Sequence, residues 1–173
     1  MITKPKERGN PFYFSYYISL STAENLIDAL ENVAKKVEEQ YKEFSENQGG
    51  FKYQEGKWTI KQLLNHLIDT ERILSTRALY FARKDKSVLP GFDENVFAEN
   101  DDSELLTIVQ LLEEYKAVRK STQLLFKNID QKKLDNMGNA NGTEISVREL
   151  GWTIAGHDLH HLKILKERYL GAM

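Results

Sequence analysis

Apolar residues recur every three or four positions along most of this chain, the spacing of amphipathic helices. Alternating β-branched runs bounded by turns are scarce. Four helices follow from the pattern. The first covers residues 22–46, with Leu26, Leu30, Val33, Val37, Tyr41 and Phe44 as its apolar stripe. The second covers 60–83, with Leu63, Leu64, Leu67, Leu74 and Ala78 on one face. The third covers 102–128, with Leu105, Ile108, Leu112, Tyr115 and Leu125 inward. The fourth covers 147–170, with Leu150, Ile154 and Leu165 in its stripe.

Helix starts are marked by capping boxes, in which two side chains each bond the other residue's free backbone N–H. The pairs are Ser21 with Glu24, Thr59 with Gln62, Asp101 with Glu104, and Ser146 with Glu149. Trp58 is placed to staple onto Leu63, and Ile145 onto Leu150. Residues 85–100, with Pro90 and Gly91 among them, form a long link between the second and third helices. Such a link permits a crossover that leaves both helices running the same way. The expected fold is all-α: one four-helix bundle, up-down-down-up, over residues 1–173. Residues 89–95 are expected to cover one end of it. The fourth helix carries a second apolar face, Trp152, Ala155, Leu159 and Leu162. Either the aromatic N-terminal segment within residues 1–20 (Phe12, Tyr13, Phe14, Tyr16 and Tyr17) or a second subunit is expected on that face.

Composition narrows the functional classes. A net charge of −2 with scattered Lys and Arg gives no basic footprint for nucleic acid. No stretch approaches the roughly 20 apolar residues of a membrane span. The chain has no cysteine, which removes disulfides, thiolate catalysis and cysteine-type zinc sites. Residues 1–10 lack the apolar stretch of a signal peptide, so a cytoplasmic address is expected.

The candidate chemistry lies in the histidines. His157 and His161 are four apart on the fourth helix, stacked on its apolar stripe. Two neutral imidazoles side by side in a core each need a partner. Two readings satisfy them. They bond polar neighbours as core histidines, or they share a divalent transition metal with His66 of the second helix, which an antiparallel fourth helix brings to the same height. Three protein ligands leave a position for water or substrate, as in catalytic zinc sites. His160 points away from the pair and is not assigned to the metal. Glu71 lies on the inward face of the second helix and is read as the ion-pair partner of an arginine such as Arg119, with a general-base role as the alternative. Asp69 and Asp158 point off their stripes and are expected in solvent.

Three segments together carry a family resemblance. Residues 57–72, with Trp58, His66, Asp69, Glu71 and Arg72, resemble the first signature of the DinB-like superfamily, a group that includes the YfiT-type proteins inferred to be metal-dependent hydrolases. Residues 89–93, Leu-Pro-Gly-Phe-Asp, resemble the loop that follows it, and residues 156–165 resemble the second signature. The resemblance spans nearly the whole chain. It implies the up-down-down-up bundle and one metal ion, nickel or zinc, on His66, His157 and His161. It further implies a small-molecule substrate, a low-molecular-weight thiol in some relatives, and a homodimer in many. Two functions remain open at this point. One is a metal-dependent enzyme that activates water or a small thiol, of hydrolase or thiol-S-transferase type. The other is a non-catalytic metal-binding or interaction protein in which the histidines tie two helices together. A cavity at the histidines distinguishes the first from the second.

Overall fold

The computed structural model describes residues 1–6 and 12–172. The helices are α1 (Phe12–Leu20), α2 (Leu26–Lys42), α3 (Ile60–Ala82), α4 (Glu94–Glu99), α5 (Ile108–Asn128) and α6 (Val147–Ile164), which continues through a wider turn at Leu165–Tyr169. Two strands, β1 (Met137–Ala140) and β2 (Thr143–Ser146), pair antiparallel just before α6.

The long helices α2, α3, α5 and α6 form the bundle. Cross-helix contacts fix their directions. The end of α2 meets the start of α5, where the backbone N–H of Ile108 donates to Glu46 Oε1 at 2.5 Å. Thr59 before α3 bonds Glu104 before α5 at 2.8 Å, so those two helices start together and run parallel. The Tyr169 hydroxyl past the end of α6 donates to the Trp58 carbonyl at the start of α3, so α3 and α6 are antiparallel. The bundle is therefore up-down-down-up, as the long link implied.

The predicted stripes are buried almost throughout: Leu26, Leu30, Val33, Val37, Tyr41, Leu63, Leu64, Leu67, Ile108, Tyr115, Leu150 and Ile154 all lie in one core. Two of the predicted capping boxes form as read, Thr59 with Gln62 and Ser146 with Glu149. The other two do not. At α2 the cap is Asn25. Its side chain accepts from the backbone N–H of Ile2, and the Leu26 N–H donates back to the Ile2 carbonyl, so the chain's own N-terminus satisfies the helix start. At the third helix the box is Thr107 with Gln110, and α5 begins about six residues later than expected. Asp101 instead closes a turn onto Ser103, and Leu105, expected inward, is 82% exposed.

The second apolar face of α6 is covered from within the chain. Helix α1 lies along it so closely that a Cβ on Gly156 would stand 1.9 Å from the Tyr17 carbonyl oxygen. Only glycine admits that approach. Trp152 is fully buried and donates its indole N–H to the Thr3 carbonyl. The face thus supplies no ground for a subunit contact. Of the aromatic segment, the Phe12 side chain lies outside the described residues.

The hairpin was not anticipated from the apolar pattern. Its signal was Asn141-Gly142, both at positive φ (53° and 79°), the two-residue turn that favours Asn-Gly. The crossover packs on it: the Leu89 N–H donates to Asn139 and the Leu89 carbonyl accepts from Asn141. Among the described residues, no helix is long and apolar enough to cross a membrane.

Candidate metal centre

His66 sits two turns into α3, while His157 and His161 lie in the second half of α6. Because the helices are antiparallel, the three side chains meet. His157 Nε2 is 3.0 Å from His66 Nε2 and 3.1 Å from His161 Nε2. Potential ligand atoms of all three lie within 4.8 Å of one another. Two nitrogens bound to one ion at about 2.0–2.1 Å, subtending 90–110°, are about 2.9–3.4 Å apart. The spacing of the imidazoles fits that requirement.

The donor chemistry fits as well. His157 and His161 are 3% and 8% exposed, and His66 9%. Burial pulls the pKa of His66 down to about 4 and those of His157 and His161 well below the ordinary imidazole value, with the neighbouring imidazoles adding to it. All three are neutral at neutral pH and carry a free lone pair. His157 Nε2 faces two other ring nitrogens but carries either one proton or one lone pair, so it cannot make a full hydrogen bond to both. A cation is the natural occupant. His161 Nδ1 is buried without a hydrogen-bond partner.

The site's surroundings differ from the sequence expectations at Trp58 and Asp158, while His160 stays outside the ligand set as expected. Trp58 does more than staple the helix: its ring lies 4.7 Å from that of His66. His160 is half-buried, and its Nδ1 is 3.1 Å from the Tyr16 hydroxyl of α1, so it belongs to the wall rather than the ligand set. Asp158, expected in solvent, is 1% exposed in its side chain and bonded to Tyr115 Oη at 2.6 Å and Arg119 Nη2 at 2.5 Å. The reason is that α1, α2 and α3 pack around α6 and turn Asp158 towards Tyr115 and Arg119 of α5.

The reading of Glu71 holds. Both its carboxylate oxygens accept from Arg119, at 2.8–3.1 Å, and the remaining Arg119 nitrogen donates to the Leu30 carbonyl. Glu71 is thus part of a buried knot joining α2, α3, α5 and α6 beneath the histidines, not a base at the cavity.

The histidines form the floor of a cavity of about 510 Å³. Tyr17 and Trp58 wall it, the hairpin residues Asn141 and Thr143 close one side, and Phe92 and Glu94 of the crossover form part of the rim. Asn141 and Glu94 are solvent-exposed, so the cavity reaches the surface.

The metal-free protein is expected to lose stability as pH falls from about 6.5 towards about 4. In that window unfolded imidazoles take up protons and the folded ones, with depressed pKa values, do not. His160, also depressed by burial, acts in the same direction. Asp158 and Asp69, raised by burial, oppose the trend, but two carboxyls face four imidazoles. Urea midpoints measured across this range check the point; a midpoint that does not move with pH contradicts the buried, neutral cluster.

Fold and site define a class: four-helix bundles of up-down-down-up order whose antiparallel helices bring three histidines to the floor of an open cavity. The chain belongs to the DinB superfamily, whose sequence profile matches residues 23–165. It is similar to a "putative metal-dependent hydrolase" of Oceanobacillus iheyensis, 30% identical over 118 residues, a region that is 66% of this chain and 66% of that protein. Its fold is that of YfiT from Bacillus subtilis, described as "a probable metal-dependent hydrolase with an unusual four-helix bundle topology". The two superpose with a TM-score of 0.71 at 18% identity, covering 97% of this chain and 94% of the other.

Proposed function

We propose that this protein is a metal-dependent enzyme in which His66, His157 and His161 hold one divalent ion, nickel or zinc, and in which a small electrophilic substrate meets water or a small thiol. The observation that carries the reading is the meeting of three neutral imidazoles on the floor of a solvent-connected cavity. A purely structural tie between helices would sit sealed among side chains. The hydrolase descriptions of its relatives point the same way.

When bound, a divalent ion supplies Lewis-acid chemistry, lowering the pKa of a nucleophile and polarising an electrophile. The chain supplies the rest. Burial of the imidazoles keeps them neutral and available as ligands. Tyr17 and Trp58 press on His157 and His66, with ring centroids 5.4 and 4.7 Å apart, and fix their orientation. The aromatic walls exclude bulk water from the apolar part of a ligand. The carboxylate in the cavity wall, Glu94, lies at the exposed rim, and Glu71 is bound to Arg119. Apart from Glu94, no carboxylate among the described residues lines the cavity with the histidines, and a nucleophile that needs no base once ionised is favoured, which tilts the reading towards a thiol. Having no cysteine, the chain must take that thiol from outside.

Elemental analysis of the purified protein is expected to find about one zinc or nickel per chain. Metal-loaded protein is expected to accelerate conjugation of small thiols to a model electrophile, or hydrolysis of simple esters or amides, and His161→Ala to lose that rate. Identical background rates for both proteins in every assay would remove the enzymatic reading for those substrates.

A further inference from the structure

A second charged group faces the same cavity. Arg77 stands eleven positions after His66 on α3. At 100° per residue this returns to nearly the same helix face, about 16 Å further along the axis. Both side chains lean back towards the N-terminus, the longer arginine further, so a ligand joining the guanidinium to the histidines spans on the order of 10–15 Å. Thr70, four residues after His66, lies between them on that face. It is 3% exposed, lines the cavity, and its hydroxyl makes no hydrogen bond within the protein.

Arg77 is 8% exposed and lines the cavity wall. Its Nη2 donates to the Pro90 carbonyl at 2.5 Å, which ties it to the crossover. A guanidinium has five N–H donors in a fixed fork, and this bond uses one. Among the described residues no carboxylate forms an ion pair with it, Glu94 of the same cavity wall included. The contrast with Arg119 is direct: that buried guanidinium pairs with Glu71 and Asp158. Burying a cation without an anion is costly, and burial lowers the pKa of Arg77. A structural role at the crossover needs only the one bond to Pro90, and any neutral donor could make it. Arg77, with its unspent donors and charge, and Thr70, with its unpartnered hydroxyl, both line the space in which a substrate would lie.

We infer that Arg77 is a specificity residue that receives an anionic oxygen group of the substrate, a carboxylate or a phosphate ester, while the reacting end lies at the three histidines about three helical turns away. Thr70 adds a hydrogen bond between the two ends, and the aromatic walls hold an apolar middle. The placement of the reacting end rests on the proposed metal centre; the anion site does not.

The test therefore uses metal-free protein at about pH 8, where the imidazoles are neutral and do not attract anions. The probes are 3-phenylpropionate, phenyl phosphate and the uncharged 3-phenylpropionamide. The Arg77 Nε–Hε resonance, assigned by its loss in Arg77→Lys, is expected to shift saturably with the two anions and not with the amide. Arg77→Gln is expected to bind the anions about tenfold to a hundredfold more weakly, and the tighter of the two anions names the group. An unshifted resonance, an equal response to the amide, or undiminished anion binding by a folded Arg77→Gln would overturn the inference. Should Arg77→Gln not fold, the titration of the wild-type resonance decides alone. Failure here leaves the metal reading standing, and a protein without bound metal leaves this result standing.

Discussion

His157→Ala is expected to lose the metal and keep the fold. His157 is the central imidazole of the three, with its Nε2 within 3.1 Å of both other ring nitrogens. Its removal leaves two imidazoles, His66 on α3 and His161 on α6, where three met. Loss of a mere outer-shell partner weakens metal sites about 10–100-fold, so loss of a ligand is expected to weaken zinc or nickel binding by at least about a hundredfold. The bundle should survive, because its core is a continuous apolar cluster spanning all four long helices. In this it differs from a zinc finger, whose folding depends on the metal. Calorimetric titration with zinc measures the first part and far-ultraviolet circular dichroism the second. Unchanged metal affinity would remove His157 from the ligand set, and an unfolded variant would make the site structural.

Arg119→Ala is expected to be the most destabilising single change outside the apolar core. It strands two buried carboxylates, Glu71 and Asp158, and removes the hydrogen bond to the Leu30 carbonyl. Breaking a buried ion pair by deleting one partner costs about 3–5 kcal/mol, a large part of the 5–15 kcal/mol typical of a domain. The combined variant Arg119→Met, Glu71→Gln, Asp158→Asn is expected to recover part of the loss, because no unpaired charge stays buried. Urea unfolding of both variants checks this. A single variant within about 1 kcal/mol of the parent protein would mean that the knot relaxes or is reached by water. Since the knot includes Asp158, next in sequence to His157, the same variant is also expected to loosen the histidine cluster.

What was legible in advance follows the range of the forces involved. The stripes of α2, α3, α5 and α6 were readable because side-chain direction on a helix depends only on spacing along the chain. The boxes at Thr59 and Ser146 were readable for the same reason: cap and partner are three residues apart. At the third helix the pair read from the sequence, Asp101 with Glu104, gave way to Thr107 with Gln110, and the reason was tertiary. Glu104 is drawn off to Thr59, forty-five positions away, and α5 starts at the later site. At α2 the decision was again distant, with Ile2 docking onto Asn25. The hairpin was missed because four-residue strands show little alternation; only its Asn-Gly turn was a usable sign.

By itself, the sequence determined an all-α bundle, the pairing of His157 with His161 on one face, and a family signature around His66. Helical geometry alone sets these relations within one segment. Only the tertiary structure decided that His66 completes the trio, that α1 fills the second face of α6, that Asp158 is buried in the Arg119 knot, and that Arg77 looks into the cavity without a partner. Each of these depends on which surfaces of separate helices come to face one another. That is set by the burial of the whole core, and no window of neighbouring residues contains it.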